Sequence, residues 1–100
     1  MREKEIESAL VKLVKARGGI CPKWVSPGFD GMPDRIVLLP GGHVGFVELK
    51  APGKKPGPLQ LSRHEMLRKL GFKVYVIDGK AQISAALDEI GGTDGSDNAE

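Results

Sequence analysis

The sequence predicts an α/β (α+β) domain in which a central β-hairpin belongs to a mixed sheet flanked by helices, in the order αβββαβα. Two observations lead to this fold class. Two runs of strand-forming residues surround Gly41-Gly42, a dipeptide typical of hairpin turns. A helical pattern and a third apolar run follow, and a strand, a helix and a strand in succession form a right-handed crossover between parallel strands.

The elements before the hairpin are a helix and a short strand. Apolar residues recur at helical spacing from Arg2 to Arg17, and Gly18-Gly19 ends that helix. Ile20 to Val25 is predicted to be a strand, placed at a sheet edge by Pro22. A loop rich in Pro and Gly then leads to Pro33. The elements after the hairpin are predicted as a helix over Leu59–Leu70, a strand over Phe72–Asp78 and a helix over Ala81–Ile90.

Length and composition bound the class of protein. One hundred residues make one small domain, which we place at residues 1–90, and a second copy of the chain would usefully extend so small a core. Residues 91–100 are polar and acidic and are expected to form a flexible tail. The single cysteine, Cys21, excludes an intramolecular disulfide and a cysteine-based zinc site. With no long apolar run and no signal-peptide pattern, we expect a soluble, intracellular protein.

Basic residues are concentrated in the second half of the domain. Residues 1–90 carry 15 basic and 10 acidic side chains, and between Lys50 and Lys73 seven basic residues accompany one acidic residue, Glu65. A local excess of positive charge favours a polyanion such as DNA as the partner.

Two acidic residues occupy unusual positions in the hairpin. Pairing about the Gly41-Gly42 turn places Asp34 opposite residue 48 or 49, next to Glu48. Like charges across a strand pair are destabilising, so the arrangement favours a cation between the carboxylates. Lys50 lies on the same face as Glu48, because side chains two apart on a strand point the same way. The alternative is that Asp34 caps a turn and Glu48 and Lys50 form the polar side of a strand.

Four stretches of the chain, from about Glu3 to Asp78, together resemble the VRR-NUC family of the PD-(D/E)xK nuclease superfamily: GMPDRI, FVELKAPGKKP, PLQLSRHEMLRKLGF and KVYVID. The resemblance implies a restriction-endonuclease-like core and a phage or bacterial, cytoplasmic setting. It also implies an acidic residue from the first helix, assigned to Glu7 with Glu3 as the alternative, and a helper at Gln60. The other interpretation of Glu3 and Glu7 is a solvated face that complements the helix dipole.

The residue types suit phosphodiester hydrolysis. That reaction needs an oxygen-liganded divalent cation, for which Asp34, Glu48 and the backbone carbonyl of Leu49 are candidate ligands, with Glu7 as a further one. Magnesium is the implied metal and manganese its substitute. Lys50 is expected to orient or deprotonate the attacking water or to stabilise the transition state.

The resemblance further implies a homodimer that resolves four-way (Holliday) DNA junctions. A flap or nicking endonuclease, or a silent DNA-binding module of the same fold, are the alternatives. His64 is interpreted as a helix-surface or partly buried histidine rather than a general acid, and Trp24 as a partly buried aromatic. The candidate DNA-binding residues are all basic and comprise Lys23, Arg35, Lys54, Lys55 and Arg63.

Overall fold

The computed structural model describes residues 1 to 92, which form a three-stranded mixed sheet with helices on both faces. The predicted fold class is confirmed. The predicted acidic tail, from residue 93 onward, lies outside the described residues. In chain order the elements are α1 (Glu3–Ala16), β1 (Arg35–Leu39), β2 (His43–Leu49), α2 (Pro58–Lys69), β3 (Lys73–Ile77), a 3₁₀ turn (Lys80–Gln82) and α3 (Ile83–Ile90).

The sheet has the order β1-β2-β3, with the hairpin strands antiparallel and β2 parallel to β3. The hairpin and the crossover are therefore as predicted. Gly41 and Gly42 both have φ values near +90°, at 93° and 80°, in the left-handed region that glycine adopts without strain. Arg35 lies opposite Val47, so the register places Asp34 beside Glu48.

The segment predicted as the first strand, Ile20 to Val25, does not form a continuous strand. It makes two isolated bridges to the outer edge of β1, from Ile20 to Leu38 and from Lys23 to Arg35. Pro22 lies between the bridges and has no N–H to donate, so it interrupts the ladder, although its carbonyl accepts a hydrogen bond from the Ile36 N–H (3.1 Å). The segment covers the edge of β1 without extending the sheet.

The two faces of the sheet differ in what covers them. On one face α1 and α3 pack on Val47, Leu49 and Ile77 to form the main core. Gly45 belongs to this face, where a Cβ would lie 2.5 Å from the Cδ1 atom of Ile90, so only glycine lets α3 approach so closely. No helix among residues 1 to 92 is both long and apolar enough to span a bilayer.

The opposite face is covered by α2. Phe46, Leu67 and Val74 form its small apolar cluster. Side chains alternate along β2, so Glu48 points to this face together with Phe46. The sheet thus delivers a carboxylate into the layer beneath α2.

Candidate active site

Asp34 and Glu48 lie side by side at the open end of the hairpin. Asp34 directly precedes β1, and its Oδ2 atom accepts a hydrogen bond from the backbone N–H of Leu49 at 2.7 Å. This bond fixes the Asp34 carboxylate against β2, one residue from Glu48. The pairing predicted from the turn is confirmed.

Glu48 is buried, with only 1% of its surface exposed, and its carboxylate is contacted by side chains from two parts of the chain. The Gln60 Nε2 donates a hydrogen bond to its Oε2 atom at 2.9 Å, and the Lys50 Nζ lies 3.7 Å from the same oxygen. Gln60 also caps α2, since its Oε1 atom accepts a hydrogen bond from the Gly57 N–H at 3.0 Å. The Glu48 carboxylate is therefore positioned both by the start of α2, through Gln60, and by the residue that follows β2, Lys50.

The surroundings of Glu48 disfavour the charged form of its carboxyl group. The pKa of Glu48 is raised from an ordinary 4.5 to about 7, mainly by burial and also by the neighbouring charge of Asp34. Lys50 opposes the rise but does not cancel it. A buried carboxylate beside a second one is the environment in which a bound cation is most stabilising.

The donor atoms fit a hard divalent cation. The Leu49 N–H faces Asp34, and since the N–H and C=O of one residue point to the same edge of an extended strand, the Leu49 carbonyl is directed to the side on which Asp34 lies. Within residues 1 to 92, no group of three or more His, Cys, Asp or Glu side chains converges to hold a metal ion. Magnesium suits such a set, because it commonly binds one or two carboxylates and keeps several waters.

Glu7 reaches the same region but is paired. It lines a pocket of about 360 Å³ with Glu3, Asp34 and Leu49. The Glu7 Oε2 atom accepts hydrogen bonds from Arg35 Nε (3.1 Å) and Nη2 (2.8 Å). The structure thus brings two of the predicted carboxylates together and holds the third on Arg35.

Arg35, a predicted DNA-binding residue, makes several hydrogen bonds within the protein. Besides Glu7, its guanidinium donates to the carbonyl of Cys21 at 2.6 Å, and the side chain is 14% exposed. Its donors therefore serve to join α1, the segment after it and β1.

The other predicted DNA-binding residues are nearer the surface. Lys54 and Lys55 are exposed in the linker between β2 and α2, and Lys23 lines the pocket next to Asp34. The Arg63 Nε donates to the Asp30 carbonyl at 2.8 Å, and its guanidinium lies 3.9 Å above the Phe29 ring. Arg63 thereby fastens the loop before Asp34 to α2.

His64 was missed as a site residue by the sequence prediction. It is fully buried, with Nε2 3.4 Å from the Glu48 Oε1 atom. Burial is the main cause that lowers its pKa, and the positive charges of Arg68 and Lys50 contribute. The available signal was its position four residues after Gln60, which places both side chains on one helix face. Trp24, predicted to be a partly buried aromatic, is 37% exposed and lies edge-on to Phe46 with 5.7 Å between ring centroids.

Comparisons with known proteins relate the chain to nucleases. The chain is 52% identical over 80 residues to a protein named "Putative nuclease p44" from Acyrthosiphon pisum secondary endosymbiont phage 1, covering 80% of this chain and 86% of the relative. It is also similar to a solved structure described as a VRR_NUC domain, with a TM-score of 0.80 and 34% identity, covering 86% of this chain and 94% of that one. No protein-family model matches the chain.

Proposed function

The chain belongs to the VRR-NUC family of PD-(D/E)xK nucleases, and on that premise we propose that it is a magnesium-dependent endodeoxyribonuclease with Asp34, Glu48 and Lys50 at its catalytic centre. The observation that carries the proposal is the buried Glu48 carboxylate beside Asp34, with the ammonium of Lys50 at 3.7 Å. Such a pair is costly in a small domain unless a cation compensates it.

Asp34, Glu48 and the Leu49 carbonyl would hold the magnesium ion. When bound, the ion supplies positive charge to the phosphate and lowers the pKa of a coordinated water. Gln60 contributes by fixing the Glu48 carboxylate through its 2.9 Å hydrogen bond. In this proposal Glu7 is a further candidate ligand of the cation, and its hydrogen bonds with Arg35 hold it in place.

Lys50 is assigned to the proton chemistry. Its side chain is partly exposed, so the ammonium reaches both the acid pair and solvent. Its role is to orient the attacking water and to stabilise charge on the phosphate as that charge develops. A lysine carries out this role without occupying a ligand position on the cation, because its ammonium has donors only.

The DNA surface is proposed to include the exposed linker lysines, Lys54 and Lys55. They lie between the end of β2, which carries Glu48, and the start of α2, which holds Glu48 in place through Gln60. Contacts to phosphates position a duplex but do not read its sequence. The proposed enzyme therefore recognises the backbone and the shape of DNA.

Replacing Lys54 and Lys55 together with alanine should weaken DNA binding by a similar factor for unrelated duplex sequences. Each lost phosphate contact should also reduce the slope of log affinity against log salt by about 0.9. Fluorescence anisotropy over a salt series measures both effects. Lys12→Ala, an exposed lysine on α1, is the control and should leave the slope unchanged. An unchanged slope in the double variant would remove the linker from the DNA surface.

We further propose that the substrate is branched DNA, with a four-way junction cut by a homodimer, as the family resemblance implies. A two-fold dimer matches a two-fold junction, and the domain is small enough to gain from a partner. The phage origin of the p44 relative supports a phage setting for this chain.

Incubating labelled junction, flap, nicked and linear duplex DNA with the protein and magnesium tests this substrate class, with Glu48→Ala as the inactive control. Junction cleavage by the wild type alone is the expected result. Preferential flap or nick cleavage would move the assignment to a flap or nicking nuclease. Binding with no cleavage in either magnesium or manganese would leave a silent DNA-binding module. Light scattering that gives a monomer mass at every concentration would contradict the dimer.

A further inference from the structure

The carboxylate of Glu48 is contacted through both of its oxygens from one helix. Gln60 donates to Oε2 at 2.9 Å, and the Nε2 atom of His64 lies 3.4 Å from Oε1. Building on the catalytic centre proposed above, we propose that His64 is a positioning residue that holds the Glu48 carboxylate in its working orientation through Nε2–H.

The chemistry of the two groups fixes the direction of this contact. The form of Glu48 that binds a cation is the ionised carboxylate, which has no hydrogen to donate, so in that form the hydrogen between the two groups belongs to Nε2. This holds for the neutral Nε2–H tautomer and for the imidazolium alike. The assignment therefore does not depend on the charge of the ring.

Helix geometry lets Gln60 and His64 act as a pair. Residues four apart on a helix lie one above the other on the same face. Because each donates to a different oxygen, rotation of the carboxylate about its terminal bond would break one of the two contacts. Two donors on a rigid helix therefore fix the plane of the carboxylate as well as its position.

Stability alone does not account for a histidine at this position. The side chain is fully buried, and among residues 1 to 92 its Nδ1 atom has no hydrogen-bond partner. A buried polar atom without a partner lowers the stability of the fold, and an apolar side chain of similar volume avoids that loss. The contact that distinguishes histidine from such a side chain here is the one to Glu48.

The test compares His64→Gln with His64→Met. Glutamine places an amide N–H at the reach of Nε2, whereas methionine fills a similar volume without a donor. Partners that orient a metal ligand affect metal affinity or activity about 10- to 100-fold. We expect His64→Met to weaken the Kd for Mn²⁺ and to slow single-turnover cleavage by factors in that range. For His64→Gln, both the Kd for Mn²⁺ and the single-turnover cleavage rate should stay within about threefold of the wild type, well below the loss expected when the donor is removed.

Urea unfolding in chelator separates positioning from folding. His64→Met should unfold at a urea concentration no lower than the wild type, and Leu67→Val on the same helix serves as the control for loss of buried volume away from Glu48. Unaltered Mn²⁺ affinity in His64→Met, or equal loss in the glutamine and methionine variants, would overturn the assignment. If no protein cleaves DNA but the Mn²⁺ affinities differ as expected, the proposed reaction fails and the positioning role stands.

Discussion

Cleavage of DNA should fall by about 10³-fold when Lys50 is replaced by methionine, with folding and cation binding retained. Groups that move or orient protons in the transition state contribute typically 10² to 10⁴-fold. Methionine keeps most of the aliphatic stem of Lys50 and removes only the ammonium 3.7 Å from Glu48. Single-turnover cleavage of a labelled substrate at saturating protein measures the chemical step separately from binding.

The affinity for Mn²⁺ gives the matching control for Lys50→Met. Lys50 lowers the pKa of Glu48, so its positive charge also opposes a cation bound at the acid pair. The variant should therefore bind Mn²⁺ at least as tightly as the wild type while cleaving far more slowly. Cleavage within about threefold of the wild type, far below the range expected for such a group, would exclude Lys50 from the reaction.

Replacing Glu48 with glutamine should stabilise the metal-free protein at pH 8 by about 3 kcal/mol, on the basis that one pKa unit corresponds to about 1.4 kcal/mol. The folded state raises the pKa of Glu48 from 4.5 to about 7. The stability associated with its proton is therefore fully present below about pH 4.5 and is lost as the pH rises through 7. Glutamine is neutral at every pH, so the difference in stability between Glu48→Gln and the wild type should increase with pH and vanish near pH 4.

Urea unfolding in EDTA at pH 4 and pH 8 measures the effect of Glu48→Gln. Glu65→Gln is the matched control, since Glu65 is an exposed helix residue whose carboxylate lies 3.8 Å from the Lys69 ammonium, and it should show no such pH-dependent difference in stability. Magnesium should stabilise the wild type at pH 8 and leave Glu48→Gln nearly unchanged, because only a native-state binder shifts the unfolding equilibrium. A wild type more stable than Glu48→Gln at pH 8 in EDTA would contradict the electrostatic account.

The backbone of the β1–β2 hairpin was predictable from the sequence because local rules determine it. Gly41 and Gly42 both adopt left-handed conformations, so they set the turn, and the turn sets which residues face each other. The position of Asp34 beside Glu48 follows from that register. The position of Lys50 on the same face as Glu48 follows from the alternation of side chains along the strand. None of these placements depends on how distant elements pack.

Side-chain partners between elements were less predictable. The pairing of Glu7 with Arg35 joins residues 28 positions apart, and it depends on how α1 lies against the sheet. The burial of His64 depends on which face of α2 meets β2, and a polar residue on a helix is more often at the surface. The segment around Ile20 and Lys23 forms isolated bridges instead of the predicted strand, because Pro22 has no N–H and removes one donor from the ladder.

One cation shared by Asp34 and Glu48 is the central feature of the proposed site. Titration of the protein with Mn²⁺, followed by electron paramagnetic resonance of the free ion, tests for this cation most directly. Asp34→Asn keeps an acceptor for the Leu49 N–H, so it removes charge with little change of structure. We expect the wild type to bind Mn²⁺, and Asp34→Asn and Glu48→Gln each to weaken binding by at least about tenfold, or 1.4 kcal/mol. Equal Mn²⁺ affinity in all three proteins, or no binding by the wild type, would contradict the shared site.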